Sequence, residues 1–365
     1  MLCINITRRA ASDPGRLPGM TENNTPGTLL ANIPGILGYY PQESLVVVTL
    51  GPLSGGRRHV GPVLRLDLCD LRYAYDLGDA LTNVDIDLAF AFVVSETFDA
   101  EQLNDLQSLL QSLSGCGLLP IQHCWHVEEI TGGATYKHLP IEADTTVPSG
   151  WQRGSIPDIS ASTSLHAMLT LGELPMLNRQ EAKDYFCQRP KWAHRSWREK
   201  AAQQALVHGA QMIRSFLEGG ASIDIAIDRL CINLAAVPAS SQLRAKHVKP
   251  LAQWMSSVSL RDASVEAFMR DRALGRRAAL AVASCYDGEI RANALCMYAV
   301  CALGTAASFR VPFALECAGD TSPGHRLTHL LQLGYRRGDG EVVIGAVVRG
   351  SHRTLATMRG DEVAA

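Results

Sequence analysis

Side chains able to do chemistry gather in four stretches of this chain. The segment His123-Cys124-Trp125-His126, with His138 downstream and Cys116 upstream, offers soft and borderline metal ligands. Alternate residues of a strand share a face, so Cys124 and His126 point together. With His138 they could close on a Zn²⁺ ion. The spacing matches no standard zinc module, and packed or solvated strand histidines are the competing reading. The second group is acidic: Glu43, Asp67 and Asp158, with Arg179 as a cationic companion. Carboxylates at strand ends can do acid/base work or hold a divalent cation. The same residues also suit turns and helix caps.

The other two stretches are basic. Gly51-Pro-Leu-Ser-Gly-Gly56, followed by Arg57-Arg58, could hold an anion on backbone amides, but it lacks a Lys-Ser/Thr ending and a following helix, so it reads as a hairpin loop. The run Arg189 to Lys200 interleaves basic residues with Trp192 and Trp197. Single-stranded nucleic acid uses such a mixture, and so does a helix anchored to a core by its indoles. A nucleophile elbow, a P-loop and a dinucleotide glycine fingerprint are all missing, and no cofactor is assigned.

These residues need elements to hold them. Ser44 to Leu50 is a continuous apolar run of the kind found in a strand covered on both faces. Val60 to Leu68 and Leu88 to Ser95 read as further strands, and Leu118 to Ile130 contains a fourth. Leu29, Leu30, Ile33 and Leu37 share a helical face that Pro34 and Gly35 interrupt. A short helix is expected over Leu77 to Val84. Asp99 is the expected N-cap of a helix whose Leu103, Leu106, Leu109, Leu110 and Leu113 line one side. Strand, helix, strand in this order predicts a layered α/β domain over 25–162, with a long loop at 131–162. Residues 1–24 are expected to be a disordered tail, with Met20 a second possible start of translation.

From Leu165 onward the pattern is helical. Asn178 to Glu181 has the form of a capping box. Helices are expected near 199–218, 222–236, 241–258, 261–284, 289–304, 306–318 and 324–337. Residues 341–358 are ambiguous between strand and helix. The helical region is thus placed at 163–338 and a partly ordered tail at 339–365. Small residues in Ala294 to Gly304 and Ala306 to Ala318, followed by His325 to Gly334, give a tetratricopeptide-like hairpin that could offer a groove to a protein partner.

Several phrases together carry a family resemblance. They are Leu29-Leu30-Ala31 with Ile33-Pro34, Leu37-Gly38-Tyr39-Tyr40-Pro41-Gln42-Glu43-Ser44-Leu45-Val46-Val47, Leu64-Arg65-Leu66-Asp67-Leu68, Ile156-Pro157-Asp158 and Asn178-Arg179-Gln180-Glu181. On these the chain resembles the domain-of-unknown-function family numbered 4192, over most of residues 28–335. The resemblance implies a fold and no activity. Such proteins commonly have His where this chain has Tyr40, and Asp where it has Glu43. Many have a cysteine-rich stretch where this chain has Tyr136 to Gly150 without cysteine, so a metal reading does not transfer with the resemblance.

Composition narrows the classes. Formal net charge is −2 over 365 residues, which argues against nucleic acid drawn by the whole molecule's field. No apolar stretch reaches the ~18 residues that cross a bilayer, so no membrane role is expected. Ten cysteines, with no C-x-x-C pair among them, fit a reducing compartment and hence a cytoplasmic location. The reading that follows is a non-enzymatic binding or scaffolding protein acting through its helical region. Its alternative is a hydrolase using Glu43, Asp67 and Asp158 at the sheet edge. Oligomeric state is left open.

Overall fold

The computed structural model describes residues 3–5, 25–54, 57–75, 81, 84–97, 100–117, 119–141, 147–238 and 240–361. Two compact units emerge. One holds residues 1–182 with 306–309 and 335–339, and the other holds 183–305, 310–334 and 340–365.

The first unit is built on a mixed sheet. Its strands are β1 (Cys3–Asn5), β2 (Ser44–Ser54), β3 (Arg57–Asp67), β4 (Leu88–Val94), β5 (Ile121–Val127), β6 (Thr135–Leu139) and β7 (Arg153–Ser155), in the spatial order β1-β3-β2-β4-β5-β6-β7. Only β4 and β5 run parallel; every other neighbouring pair is antiparallel. A parallel pair needs a crossover, and the leucine-lined helix expected after β4 provides it. The helices of this unit are α1 (Pro26–Leu37), α2 (Ala100–Gly115) and α3 (Thr163–Leu169), and α4 (Arg179–Asp184) begins within it.

Strand periodicity sorts the core into two faces. Leu45 and Val47 of β2, Leu64 and Leu66 of β3, Ala91 and Val93 of β4, and Cys124 of β5 pack in one cluster with Leu106, Leu110 and Leu113 of α2. The alternate residues Val46, Phe92 and Trp125 point the other way and are equally buried. Helix α1 lies near β7 on that side: a Cβ on Gly27 would sit 2.6 Å from the Ser155 carbonyl and 3.0 Å from the Tyr136 ring. Both faces of β2 are therefore covered, as its unbroken apolar run predicts.

Helix α1 begins at Thr25, whose hydroxyl accepts from the Thr28 N–H, with Pro26 in the first turn. It runs through Pro34 and Gly35 rather than breaking there, and ends at Gly38. That glycine has φ 81°, and its N–H donates to the Pro34 carbonyl. A Cβ at Gly38 would collide with the Phe309 ring.

Other expectations change at this level. Residues 131–162 are not one structureless loop, because Tyr136 and Leu139 alternate inward along β6 and β7 adds a short antiparallel edge. The segment is too short, and too polar outside those positions, to show a period. Residues 3–5, inside the stretch expected to be a tail, form β1 against β3. Of the helix expected over 77–84 only Leu81 and Val84 are among the described residues, neither of them helical, and the cap Asp99 lies outside them. Helix α3, grouped with the helical region in the sequence, belongs to the sheet unit.

The second unit is helical. It contains α5 (Arg195–Leu217), α6 (Ile223–Ala235), α7 (Ala245–Trp254), α8 (Val258–Arg270), α9 (Arg272–Cys285), α10 (Gly288–Ala302), α11 (Val311–Thr321), α12 (Arg326–Arg336) up to Gly334, and α13 (Gly340–Arg359). The single helix expected at 261–284 is two. Asp271 leaves helical geometry at φ −129°, and its carboxylate caps α9 by accepting from Ala273 and Leu274 N–H. The ambiguous end of the chain is helix α13, packed on α8, with Ser351, Leu355 and Met358 buried at intervals of four and three. Its Val-Val-Ile run hides that period. The segments expected as a tetratricopeptide-like hairpin are the consecutive helices α10, α11 and α12. Every residue of α10 from Ile290 to Ala302 is buried, which makes it the centre of this unit. No helix among the described residues is long and apolar enough to cross a membrane.

Two glycines with positive φ separate conformation from crowding. Gly133→Ala, at φ 88° with no atom within 4 Å of a new Cβ, should lower stability by about 1–2 kcal/mol. Gly38→Ala adds collision with Phe309 and should cost about 2–5 kcal/mol. Urea unfolding of the two variants checks the difference.

Candidate functional site

Strand pairing brings part of the acidic group together. Ser44, the first residue of β2, is in register with Asp67 at the end of β3 and with Val94 at the end of β4. Glu43 and Ser95, the next residues along, thus meet at the carboxyl end of the parallel pair. The Ser95 hydroxyl donates to Glu43 Oε2 over 2.7 Å, and the Glu96 N–H donates to Glu43 Oε1 over 3.1 Å. Glu43 has φ 42°, a left-handed conformation that side-chain-bearing residues rarely adopt. These two bonds help hold it there.

Arg65 lies beneath this corner, 3% exposed. Its Nε donates to Ser44 Oγ over 2.8 Å, its Nη2 donates to the Gln42 carbonyl over 3.3 Å, and it lies 2.5 Å from the Asp67 carboxylate. A guanidinium removed from water needs such partners, because burying a charge without them costs several kcal/mol. Asp67 is therefore first a counter-ion, and Glu43 first a clasp between β2 and β4.

Asp158 is set on another part of the sheet. Asp158 caps the short turn Ile159–Ala161, with its carboxylate accepting from the Ser160 N–H over 2.9 Å, and the Ser160 hydroxyl, then that N–H, lower its pKa. It follows β7, four strand steps from β2 in the sheet order. Arg179 opens α4 beside a reciprocal pair: Asn178 Oδ1 accepts from the Glu181 N–H, and Glu181 accepts from the Leu177 N–H. This arrangement differs from the expected capping box only in that Glu181 reaches one residue further back.

The expected metal ligands fall on two faces. Cys124 and His126 point to the α2 side, as their spacing predicts. Cys124 is fully enclosed, burial pushes its thiol well above the usual range, and His126 Nε2 lies 2.9 Å from the Ser95 carbonyl. His138 pairs with Trp125 across β5 and β6, which puts it on the opposite face. Cys124, His126 and His138 cannot share one ion, since the sheet stands between them, and Cys116 is exposed at the end of α2. No group of three or more His, Cys, Asp or Glu able to hold a metal occurs among the described residues.

The residue that joins His138 is His123, with ring centres 5.6 Å apart. Around them stand Phe90, Trp125 and Trp151. The Trp125 indole N–H is committed to the Trp151 carbonyl at 2.8 Å. His123 Nδ1 and His138 Nε2 are both buried with no hydrogen-bond partner, and burial lowers both pKa values. The sequence carries a signal for this pair, since His123 and Trp125 alternate on one face. The pairing of β5 with β6 has no such local signature.

A further constellation lies in the helical unit and has no counterpart among the sequence expectations. Thr328 N–H donates to His325 Nδ1, which assigns the ring proton to Nε2; that nitrogen donates to Asn293 Oδ1 over 2.9 Å. Arg261 Nη1 donates to the same oxygen over 2.8 Å, and the Asn293 amide donates to the Met255 carbonyl. Thr328 Oγ1 lies 2.7 Å from His325 Nδ1 and 3.2 Å from Cys296 Sγ, which places a hydroxyl between thiol and imidazole. The order thiol, imidazole, amide has the form of a nucleophile with its base and orienting group. Yet Cys296 is wholly buried and its thiol is pushed up to about 12 by desolvation, so the network serves the core.

The basic run at 189–200 also has a packing role. Trp192 and Trp197 meet edge to face at 4.8 Å, Trp197 reaches Tyr286, and Trp192 donates to the Leu243 carbonyl. Arg189 and Arg198 both bind Asp287 at 2.6 Å.

A mixed sheet whose faces are both covered, joined in one chain to a helical unit, is the class of protein these features define. The chain belongs to the family described as domain of unknown function (DUF4192), which matches residues 26–339. No curated protein and no solved structure matches the chain.

Substitution and pH separate the structural roles of these groups. Arg65→Ala should cost about 2–4 kcal/mol in urea unfolding, because it strips Ser44, Gln42 and Asp67 of their donor. Asp158→Ala should lower the urea midpoint much less than Arg65→Ala does, since it removes only an exposed cap. Burial lowers the His325 pKa, so the unfolded chain takes up that proton first as pH falls below about 6.5. Stability is full above that value and declines below it. In His325→Gln the slope between pH 7.5 and 5.5 should be shallower than in the parent protein.

Proposed function

We propose that the protein is a cytoplasmic binding or scaffolding protein whose helical unit receives a protein partner. The observation that carries this reading is the outer side of α6. Ile223, Ile227, Leu230 and Leu234 fill its inward face, while Ile225 and Ile232, a heptad apart and therefore in line, are 57% and 68% exposed. On α12, Leu330 and Leu333 stand outward in the same way, at 63% and 48%. Paired apolar residues at helical spacing are what a helix offers to a partner. Single exposed leucines would not carry the argument.

The hydrolase reading finds partial support in the meeting of Glu43 and Asp67 at one strand end. Both carboxylates already hold structural partners there, and Asp158 caps a turn after β7. Binding is the reading favoured by those commitments.

The test is affinity purification from native cells with the parent protein and an Ile225→Lys/Ile232→Lys variant. Both positions are more than half exposed, so thermal stability should change by less than about 0.5 kcal/mol. A protein recovered in stoichiometric amount with the parent and lost with the variant is the expected result. Retention of a metabolite and no protein would overturn it.

A further inference from the structure

We propose that Cys187 and Cys317 form a peroxide-sensitive site, in which Cys187 is oxidised first and Cys317 closes a disulfide on it. This inference is independent of the exposed faces of α6 and α12, and every residue it uses lies in the helical unit. Its first observation is a difference in access. Cys187 is exposed in the turn that follows α4, while Cys317, in α11, is only 3% exposed. An oxidant in solution meets Cys187 and is kept from Cys317.

The second observation is how that turn lies along α11. Phe186 N–H donates to the Lys183 carbonyl over 3.0 Å, and Cys187 N–H donates to the Asp184 carbonyl over 2.9 Å, so the turn is tightly wound. The Cys317 thiol is directed at the same Lys183 carbonyl, 3.8 Å away. The Lys183 ammonium reaches along α11, 2.9 Å from Glu316 and 2.8 Å from Asp320. At the far end of the turn Arg291 Nη2 donates to the Phe186 carbonyl over 2.7 Å, and its Nε donates to Thr321 Oγ1 over 3.3 Å. The Thr321 hydroxyl donates in its turn to the Cys317 carbonyl. Both ends of the segment Lys183 to Phe186 are thus tied to the stretch of α11 that carries Cys317, and Cys187 is the next residue. A disulfide needs α-carbons about 4.4–6.8 Å apart, the spacing of backbone segments in such direct contact.

Charge gives the same placement. Burial pushes the Cys317 thiol up to about 12, and a thiolate at Cys187 adds to that rise more than any other charged group does. A charge acts that strongly only from close by. Arg291 and Lys183 pull the other way and stand ready to favour a sulfur anion. The chemistry balances with hydrogen peroxide as oxidant. The Cys187 thiolate attacks one peroxide oxygen, the O–O bond breaks, and the departing hydroxide takes a proton to become water. Cys187 is then a sulfenic acid. The Cys317 sulfur attacks the Cys187 sulfur and gives its proton to the sulfenic hydroxyl, which leaves as a second water as the S–S bond forms.

The experiment exposes the reduced full chain to hydrogen peroxide, blocks remaining thiols with N-ethylmaleimide and maps the unreduced peptides by mass spectrometry. Expected is a Cys187–Cys317 linked peptide, about 2 Da lighter than its two thiol halves together and removed by dithiothreitol. The oxidised protein should also unfold at a higher urea concentration, because the bond closes a long loop. In Cys187→Ser, Cys317 should stay a free thiol at the same peroxide concentration. In Cys317→Ala, dimedone should trap more than about threefold as much Cys187 sulfenic acid as in the parent protein. Circular dichroism establishes that this second variant is folded, and the exposed Cys187→Ser carries the test if it is not. Cys187 linked to any other cysteine would overturn the pairing, and so would equal oxidation of Cys317 in Cys187→Ser. An unchanged dimedone yield in folded Cys317→Ala would overturn the part given to Cys317. Cys187 left unoxidised while the exposed Cys69 and Cys116 react would overturn the site.

Discussion

Between Ser44 and Leu50, strand β2 leaves water almost no way in. From Ser44 to Leu50 its side chains alternate between the α2 cluster and the layer that holds Phe92 and Trp125, and all of them are buried. Burial of that kind is favourable for valine and leucine at about 25 cal/mol for each Å² removed from water. It is unfavourable for any polar group that lacks a partner. A strand enclosed on both sides therefore expels chemistry from its middle and leaves it only at the ends and margins of the sheet.

The polar corner obeys this constraint. Arg65 is the exception that enters the covered layer, and it does so with Ser44, Gln42 and Asp67 bound to it. Glu43 turns the chain through an unusual backbone conformation just where β2 begins, and Ser95 and Glu96 clasp it from the end of β4. The phrase from Gly38 to Val47 is thus a structural sentence: helix stop, turn, clasp and central strand follow one another without a gap. The histidine pair obeys the same constraint at the other margin, where covering is thinner and two aromatic-walled imidazoles remain half-buried.

The helical unit solves a different problem. Its central helix α10 is enclosed on every side, yet it carries Asn293 and Cys296. These groups are tolerated because Arg261, His325 and Thr328 reach them from neighbouring helices and leave each inner atom bonded. Small residues along α10 allow those neighbours to come close, so alanine content and the buried network belong to one packing solution.

Much of this was legible from residue order. Apolar runs of four to eight residues marked β2 and β4, alternation marked β3, the leucine period marked α2, and the alanine-rich stretches marked the inner helices, because local period reports how a segment meets its core. Family membership was legible too, since it rests on short phrases in fixed order. What residue order could not supply was which strand lies beside which. The separation of Cys124 and His126 from His138 depends on β6 pairing with β5, and so does the meeting of His138 with His123. The distance of Asp158 from Glu43 depends on the sheet order, and the network around His325 on helices far apart in the chain. Faces and caps are properties of neighbours along the backbone; partners across space are chosen only when the whole core closes, because long-range pairing is decided by the burial of all elements at once.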